Sequence, residues 1–519
     1  MIIYNLTNTM NKIGFFIELF ITSVALFFIG LGINLIVNLR TISHLLIFVL
    51  MLWFLNTIFC LLTLFSQKIT YTKNCWLIVI LIFPFFGIAL FCLFEIKPIA
   101  KRIKDKFYLN EEKLEKFNFS HNYRINEDEQ IPEIFLNSKL NKKDIYRNNE
   151  IVIIDNSTLI LDQLVKLIRG AKYTINLQSF IFRSQSFFTR IIFLELIKKA
   201  KEGIKIKILY DHFGTVLKKG EKILKWVEQY GIEIACFNPL HINIFTSSTN
   251  YRLHSKFVII DNESCFYGGS NFGDEYLSMA KNECLWTDLN VVIKGPIVQI
   301  INQVFLNYWL TFGHNKKRKN NFGIDESCFQ LHNRKFKQTN TTMQLLCFNP
   351  KINFFSLNET ILNEMAHAQK TIKITTPYFC PTQEINDFLK LLAMKGIKIE
   401  IIVPAKNVWF TKMMNEYCYN QILNENITLY EYVGYVHSKI ILIDDKYTLL
   451  GSFNLDYRSI YFDFESQLII DNYDFAQKIL KIFEQYKFNS TKKNMKQKTK
   501  YVPGRATITQ FMLLCKTLF

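Results

Sequence analysis

The sequence predicts an α/β protein whose two similar halves build one site between them, preceded by transmembrane helices. Three observations carry this reading. A polar motif occurs twice in frame, each copy follows a strand–helix–strand pattern, and the first hundred residues are almost uncharged and strongly apolar.

In chain order, the apolar region 1–100 holds segments near 14–37, 42–65 and 75–96, each long enough to cross about 30 Å of hydrocarbon. Glu18 interrupts the first, for which a cleaved signal peptide is the rival reading, although no small-residue cleavage site follows it. A buried soluble helix bundle is the other alternative, but this much apolar length is hard to bury. Lys97, Lys101, Arg102, Lys104 and Lys106 come directly after the third segment. Basic residues flanking a span mark the cytoplasmic side. With three spans, the loop with Arg40 is then cytoplasmic, and the N-terminus and the loop with Lys68 and Lys73 are outside. Those two lysines oppose the arrangement. The expected location is therefore a multi-pass protein of the cell membrane with a cytoplasmic catalytic part. Eleven cysteines without CxxC spacing suit a reducing interior.

Residues 101–150 are polar, a linker or lead-in. The first half, 151–315, runs TINLQSFIF, then the helical pattern FLELIKKAKEG, then IKIKILYD; the second, 343–490, runs TIKITTPYF, INDFLKLLAMKG and IKIEIIVP. Such units imply an α/β sandwich in each half. Between them, 316–342 is a connecting loop whose KKRKNN cluster reads as a solvated surface. The tail, 491–519, is basic and then apolar, suited either to the membrane surface or to packing on the protein.

The repeated motif is HSKFVIIDNESCFYGGSN from His254 and HSKIILIDDKYTLLGSFN from His437. His254, Lys256, Asp261, Gly268 and Asn271 match His437, Lys439, Asp444, Gly451 and Asn454 in type and spacing. At about one chance in twenty per position, duplication is far more probable than coincidence. Each copy reads as a β-hairpin, and His and Lys two apart share a strand face. With a two-residue turn at Asn262-Glu263 and Asp445-Lys446, each His lies opposite its Asn and each Lys opposite a small residue, Gly269 or Ser452. An imidazole, a cation and an amide beside open backbone form a binding surface for a tetrahedral oxyanion. Asp261 and Asp444 are counted in the catalytic set with the histidines and lysines, but they sit at odd parity at the strand end and are expected to brace the turn or orient a neighbour. The other histidines, each alone, read as structural.

Two histidines in one site suit phosphoryl-centre chemistry. One neutral imidazole attacks phosphorus, an imidazolium protonates the departing alkoxide, and the roles swap for the second step. Lysines and asparagines hold the non-bridging oxygens. No metal or other cofactor is required.

On these residues the chain resembles the phospholipase D superfamily, whose motif is HxKxxxxD followed by GSxN, and within it the bacterial cardiolipin synthases. NYRLHSK, GGSNFGDEYL, TPYFCP, GSFNLDYRS and FESQLII carry the likeness from about residue 75 to the C-terminus. The resemblance implies His254 as a phosphohistidine-forming nucleophile and His437 as general acid. Lys256, Lys439, Asn271 and Asn454 would bind phosphate. Glu465 would orient His437, and Asp288, in a WxD motif at Trp286, would be its counterpart. Asp463 departs from the family's usual Asn, and CFNP at Cys347 replaces a Ser-Gly-Pro.

The implied reaction is transfer of a phosphatidyl group between two phosphatidylglycerols, giving cardiolipin and glycerol. Water or another alcohol as acceptor stays open. The net charge of +18 suits an anionic phospholipid partner at a membrane, and no nucleic acid is expected despite the basic surface.

Overall fold

The computed structural model describes residues 42–65, 70–95, 99–116, 123–125, 133–135, 144–239, 251–279, 285–314, 336–350, 357–407, 409–422 and 425–493. The first apolar segment, most of the connecting loop and nearly all of the tail lie outside them. The chain divides into two compact units, one formed chiefly by Met1–Ile99 and the other by the residues after it.

In the smaller unit, α1 (Ile42–Phe65) is 24 residues without a charged side chain, about 36 Å at 1.5 Å per residue. Its first and last turns have no described side chains, and over the described stretch no helix is long and apolar enough to cross a membrane. The third apolar segment corrects the expectation of one continuous helix. It forms α2 (Thr70–Ile82) and α3 (Pro84–Glu95), folded back on each other. Pro84 has no N–H for the ladder and its ring clashes with the carbonyl four residues earlier, so the first helix stops before it. Gly87 then lets the two backbones touch: a Cβ there would lie 2.6 Å from the Val79 carbonyl oxygen and 2.7 Å from the Ile80 Cα. Trp76 and Phe91, at distant points of the chain, meet edge-to-face at 5.4 Å. Leu55, Phe59, Ile80, Ile88 and Phe91 form the small core of this unit. Its exterior is apolar too: Trp53 is 71% exposed and Phe86, near the hairpin tip, 70%.

The larger unit opens with α4 (Ile99–Glu115), whose Asn110 donates to the Thr311 hydroxyl at 3.0 Å and whose Phe107 packs on Tyr308 and Phe312. The first half then runs β1 (Glu150–Ile154), α5 (Ser157–Gly170), β2 (Thr174–Ser179), α6 (Phe187–Lys201), β3 (Lys205–Asp211), β4 (Glu233–Phe237), β5 (Arg252–Leu253), β6 (Phe257–Ile260), β7 (Ser264–Gly268), β8 (Trp286–Thr287), β9 (Asn290–Lys294) and α7 (Pro296–Phe312). The second runs β11 (Thr342–Phe348) after the short β10 (Gly313–His314), then α8 (Leu357–Ala366), β12 (Thr371–Thr375), α9 (Gln383–Met394) and β13 (Lys398–Pro404). It continues with β14 (Ile427–Tyr432), β15 (Tyr435–Val436), β16 (Ile440–Ile443), β17 (Tyr447–Gly451), β18 (Asp463–Asp471) and α10 (Tyr473–Phe488).

The strand order β4-β3-β2-β6-β7-β9 of the first sheet recurs as β14-β13-β12-β16-β17-β18 in the second. Strand alternation sends Val258 and Ile175 to an outer core under α5 and α6, and Phe257 and Tyr267 inward. Inward residues of both sheets, among them Phe257, Val291, Leu442 and Leu468, share one central core with α7 and α10. Two short strands cross between the halves: β5 pairs with the start of β18, and β15 with β8.

The motif hairpins differ from the expected register by one residue. Ile260 pairs with Ser264 and Ile443 with Tyr447, so each loop has three residues, Asp261–Glu263 and Asp444–Lys446. The cause lies in the loops' own geometry. Asp261 and Asn262 take φ of 53° and 56°, and Asp444 and Asp445 take 51° and 53°, left-handed conformations that Asn and Asp tolerate best. The Asp261 carboxylate accepts the backbone N–H groups of Lys172, Tyr173 and Thr174, each at 2.8 Å. Asp444 accepts those of Gln369, Lys370 and Thr371 in the same way. Both acids therefore tie the hairpin tip to the strand beside it and take no place in the catalytic set. Replacing either with Ala removes three charge-assisted bonds and puts Ala at positive φ. We expect a loss of about 2–3 kcal/mol in thermal unfolding of the detergent-solubilised protein. The pH limbs of the remaining activity should not move.

Candidate active site

Neither His254 nor His437 belongs to the hairpin ladder. Each occupies the break between a short strand and the hairpin, β5 to β6 and β15 to β16. The middle residue of each HSK is fixed by its own sheet: Gln178 of β2 donates to the Ser255 hydroxyl at 2.6 Å, and the hydroxyls of Thr375 and Ser438 meet at 3.0 Å. The histidines themselves are fixed by the opposite half. His254 N–H donates to the Phe464 carbonyl at 3.0 Å, and His437 N–H to the Thr287 carbonyl at 2.7 Å. The residue after each acceptor is an acid.

That crossing decides the carboxylate partners. His254 Nδ1 lies 2.8 Å from Glu465, and His437 Nδ1 lies 2.7 Å from Asp288. The expectation that Glu465 orients His437 is thus corrected: Glu465 serves the histidine of the other half, because its strand runs beside β5. A carboxylate accepting from Nδ1–H leaves Nε2 as the nitrogen for phosphorus or a proton, which in His437 lies 3.1 Å from Lys439 Nζ. Each acid is held by a serine hydroxyl, Glu465 by Ser452 and Asp288 by Ser270 at 3.0 Å. Ser270 had no signal in the motif comparison, since Phe453 occupies its place in the second copy.

Lys256 reaches back to the His254 carbonyl, and Lys439 lies 3.0 and 3.1 Å from the two ring nitrogens of His437. Gly269 sits where the sets meet: a Cβ there would stand 2.9 Å from Asp288 and 3.3 Å from Lys439 Nζ. The two asparagines are not equivalent. Asn271 donates to the Tyr276 hydroxyl at 2.8 Å and accepts from the Ile181 N–H at 3.3 Å. The buried side-chain Oδ1 of Asn454 has no partner among the described residues.

Burial controls the protonation states. Desolvation, reinforced by the lysine charges, pushes His254 well below its ordinary value and His437 down to about 3. Each histidine feels both lysines, which makes this one site. Burial also lowers Lys256 to about 7 and Lys439 to about 8, against the pull of the carboxylates. The acids diverge. Asp288 stays low, since His437, Lys439 and its hydrogen bonds outweigh its burial. Glu465 is raised to about 7 by burial. Asp463, two residues before it, is also raised well above the carboxylate range by burial, despite Arg458 at 3.3 Å. A neutral Asp463 offers a donor and an acceptor in the shape of the amide found there in the resembling family. His254, Asp463 and Glu465 bring three possible metal-ligand atoms within 4.8 Å. A cation there would take the Nδ1 lone pair and separate His254 from Glu465, so this set fits the proton chemistry of the histidine better than a metal.

Two half-sites with one strand order, one imidazole, one ammonium and one carboxylate apiece define a phosphodiester-transferring protein of the phospholipase D-like fold. The family model described as cardiolipin synthase, phospholipase D-like domain, matches residues 164–309 and 361–487. The chain belongs to that family, and it is a phosphatidyltransferase. Cardiolipin synthase 1 of Bacillus cereus is 28% identical over 408 residues, 75% of this chain and 78% of that one. Cardiolipin synthase 2 of Bacillus anthracis is 28% identical over 420 residues, 79% of each. Among solved structures, the phosphatidylserine synthase of Haemophilus influenzae shares the fold, with a TM-score of 0.54 at 18% identity over 71% of this chain and 95% of that one.

The crossed pairing separates the two acids in a pH profile of kcat. Glu465, raised to about 7 by burial, is already protonated where the acidic limb lies, so Glu465→Gln should leave that limb in place and lower kcat by loosening the hold on His254. Asp288→Asn destabilises the imidazolium of His437, so the alkaline limb should move to lower pH and the rate fall on the order of 10²- to 10⁴-fold. If Glu465→Gln moves the alkaline limb instead, the pairing is uncrossed in solution.

Proposed function

We propose that the chain joins two phosphatidylglycerols into cardiolipin through a phosphohistidine on His254. The supporting observation is the unequal state of the two acids. Asp288, held ionised, offsets part of the burial and Lys439 charge that lower His437, and so suits that ring to carry the proton once an anionic phosphodiester is bound. Glu465, raised by burial, gives His254 less such support and leaves it the neutral nucleophile.

In the first step His254 Nε2 forms a bond to phosphorus as the bond to the glycerol oxygen breaks. His437 gives its proton to that oxygen, and glycerol leaves. The now neutral His437 takes the proton of a hydroxyl on the second phosphatidylglycerol, whose oxygen bonds to phosphorus as the P–N bond breaks. Lys256 and Lys439 neutralise the non-bridging oxygens, and the anionic phosphodiester in turn favours their charged forms and a protonated His437. No energy source is needed, because one phosphodiester replaces another.

Purified protein given phosphatidylglycerol alone should yield equimolar cardiolipin and glycerol. His254→Ala should abolish both product and covalent lipid, whereas His437→Ala should retain slow formation of an acid-labile, base-stable adduct. Phosphatidic acid as the main wild-type product would replace this reading with a hydrolase.

We infer a membrane arrangement from α1 and the hairpin. The predominantly apolar α1, with no Asp, Glu, Lys or Arg, is a span, consistent with its exposed Trp53 and Phe54. Helices of 13 and 12 residues, about 20 and 18 Å, are too short for separate spans. They enter the bilayer and return to the side they came from. This differs from the expected two to three spans, in which the third segment crosses, and it removes the conflict over charge. Lys68, Lys73 and the basic run from Lys97 to Lys106 then share the cytoplasmic side, with Arg40 outside. Cys236 and Cys418 are buried and report neither side. In a background without native cysteines, Arg40→Cys should react with an impermeant maleimide in intact cells. Lys73→Cys and Lys104→Cys should react only after the membrane is opened. Labelling of those two from opposite sides would restore a third span.

A further inference from the structure

The two halves repeat the same catalytic groups, but they do not surround them alike. His254 meets one aromatic ring among the described residues, Phe180, edge-on at 5.5 Å. His437 meets three: Tyr276 edge-on at 5.3 Å, Trp286 at 5.4 Å and Tyr435 at 6.2 Å. Trp286 and Tyr435 come from opposite halves and stack at 4.2 Å, an arrangement set by the pairing of β8 with β15. The Tyr435 hydroxyl donates to that of Tyr378 at 3.1 Å, which extends the wall. Both stacked rings are partly exposed. The indole N–H of Trp286, however, is buried and has no acceptor among the described residues.

A buried donor left unpaired costs about 1–3 kcal/mol, and such groups are rare in folded proteins. One beside the proton-donating histidine has a direct use if a substrate group pairs with it. The glycerol headgroup carries two hydroxyls. In the acceptor lipid one of them attacks phosphorus, and the other needs a hydrogen-bond partner. Water has no second hydroxyl to offer, so a donor placed for it favours the lipid alcohol. The stacked rings also cover His437, which activates whichever acceptor attacks.

We propose that Trp286, backed by Tyr435, is a specificity-determining residue that binds the non-reacting hydroxyl of the glycerol headgroup and so selects phosphatidylglycerol over water. This rests on the transferase reading above. It adds no step to the reaction; it sets which oxygen attacks the phosphohistidine.

The test uses the full chain in phosphatidylglycerol–detergent micelles and measures the ratio of phosphatidic acid to cardiolipin. Trp286→Phe keeps the ring and removes only the N–H. It should raise that ratio about tenfold, the equivalent of one lost hydrogen bond. Covalent lipid should still be trapped on the protein, since His254 and its partners are untouched. Trp286→Ala should raise the ratio further, because the stack on Tyr435 goes as well; if it fails to fold, the Phe variant alone decides. A Trp286→Phe ratio within twofold of wild type overturns the inference, and so does an equal fall in both products, the mark of a merely structural residue. Wild-type protein that makes phosphatidic acid and no cardiolipin would instead defeat the transferase reading on which it stands.

Discussion

Each histidine is held by a main-chain bond from the other half, His254 N–H to Phe464 O and His437 N–H to Thr287 O, and the site depends on that exchange. The energy that holds the halves together comes from elsewhere. The central core shared by both sheets, α7 and α10 buries many large apolar side chains, each worth about 1.5–3 kcal/mol. Two backbone bonds add about 1 kcal/mol apiece. Their contribution is direction. They align β5 with the start of β18 and β15 with the end of β8, and so deliver Glu465 and Asp288 to rings they could not reach within their own halves. A half taken alone has an imidazole and a lysine without the orienting acid.

Electrostatics gives the duplicated parts different tasks. Two lysines, His437 and several acids are buried within one site beside the part-buried His254, where an unbalanced charge is costly. The ionised Asp288 balances Lys439. Around Glu465 the count is tighter, since Asp463 competes for the same positive charge, and burial raises both carboxyls. Gene duplication supplies equal halves; unequal neighbours turn one histidine toward attack and the other toward proton transfer.

The apolar N-terminal region follows a simpler rule. Hydrophobicity and length identify a segment that belongs in hydrocarbon, but Pro84 and Gly87 determine whether it continues or turns back. Over its described side chains the hairpin's outer surface is as apolar as its inner one, so no polar stripe there marks which side faces its neighbour. Under the proposed arrangement the turn also changes which charges share a side of the membrane.

The sequence by itself determined what is local and repeated. Spacing identified the two HSK sets, alternation placed the strands, and odd parity kept Asp261 and Asp444 off the catalytic face. It missed the hairpin register by one residue, because the left-handed loop conformations at Asp261 and Asp444 are stabilised by N–H groups of Lys172–Thr174 and Gln369–Thr371, far away in sequence. The partners of Glu465 and Asp288 were beyond its reach for the same reason. Each acid lies nearer in sequence to its own half's histidine, and nothing in spacing records that β5 and β15 cross over. Nor does spacing reveal that Trp286 meets Tyr435, or that Asn271 is engaged while Asn454 is not. Pairing between strands from two halves is a property of packed sheets, so it was decided only when the shared core brought them face to face.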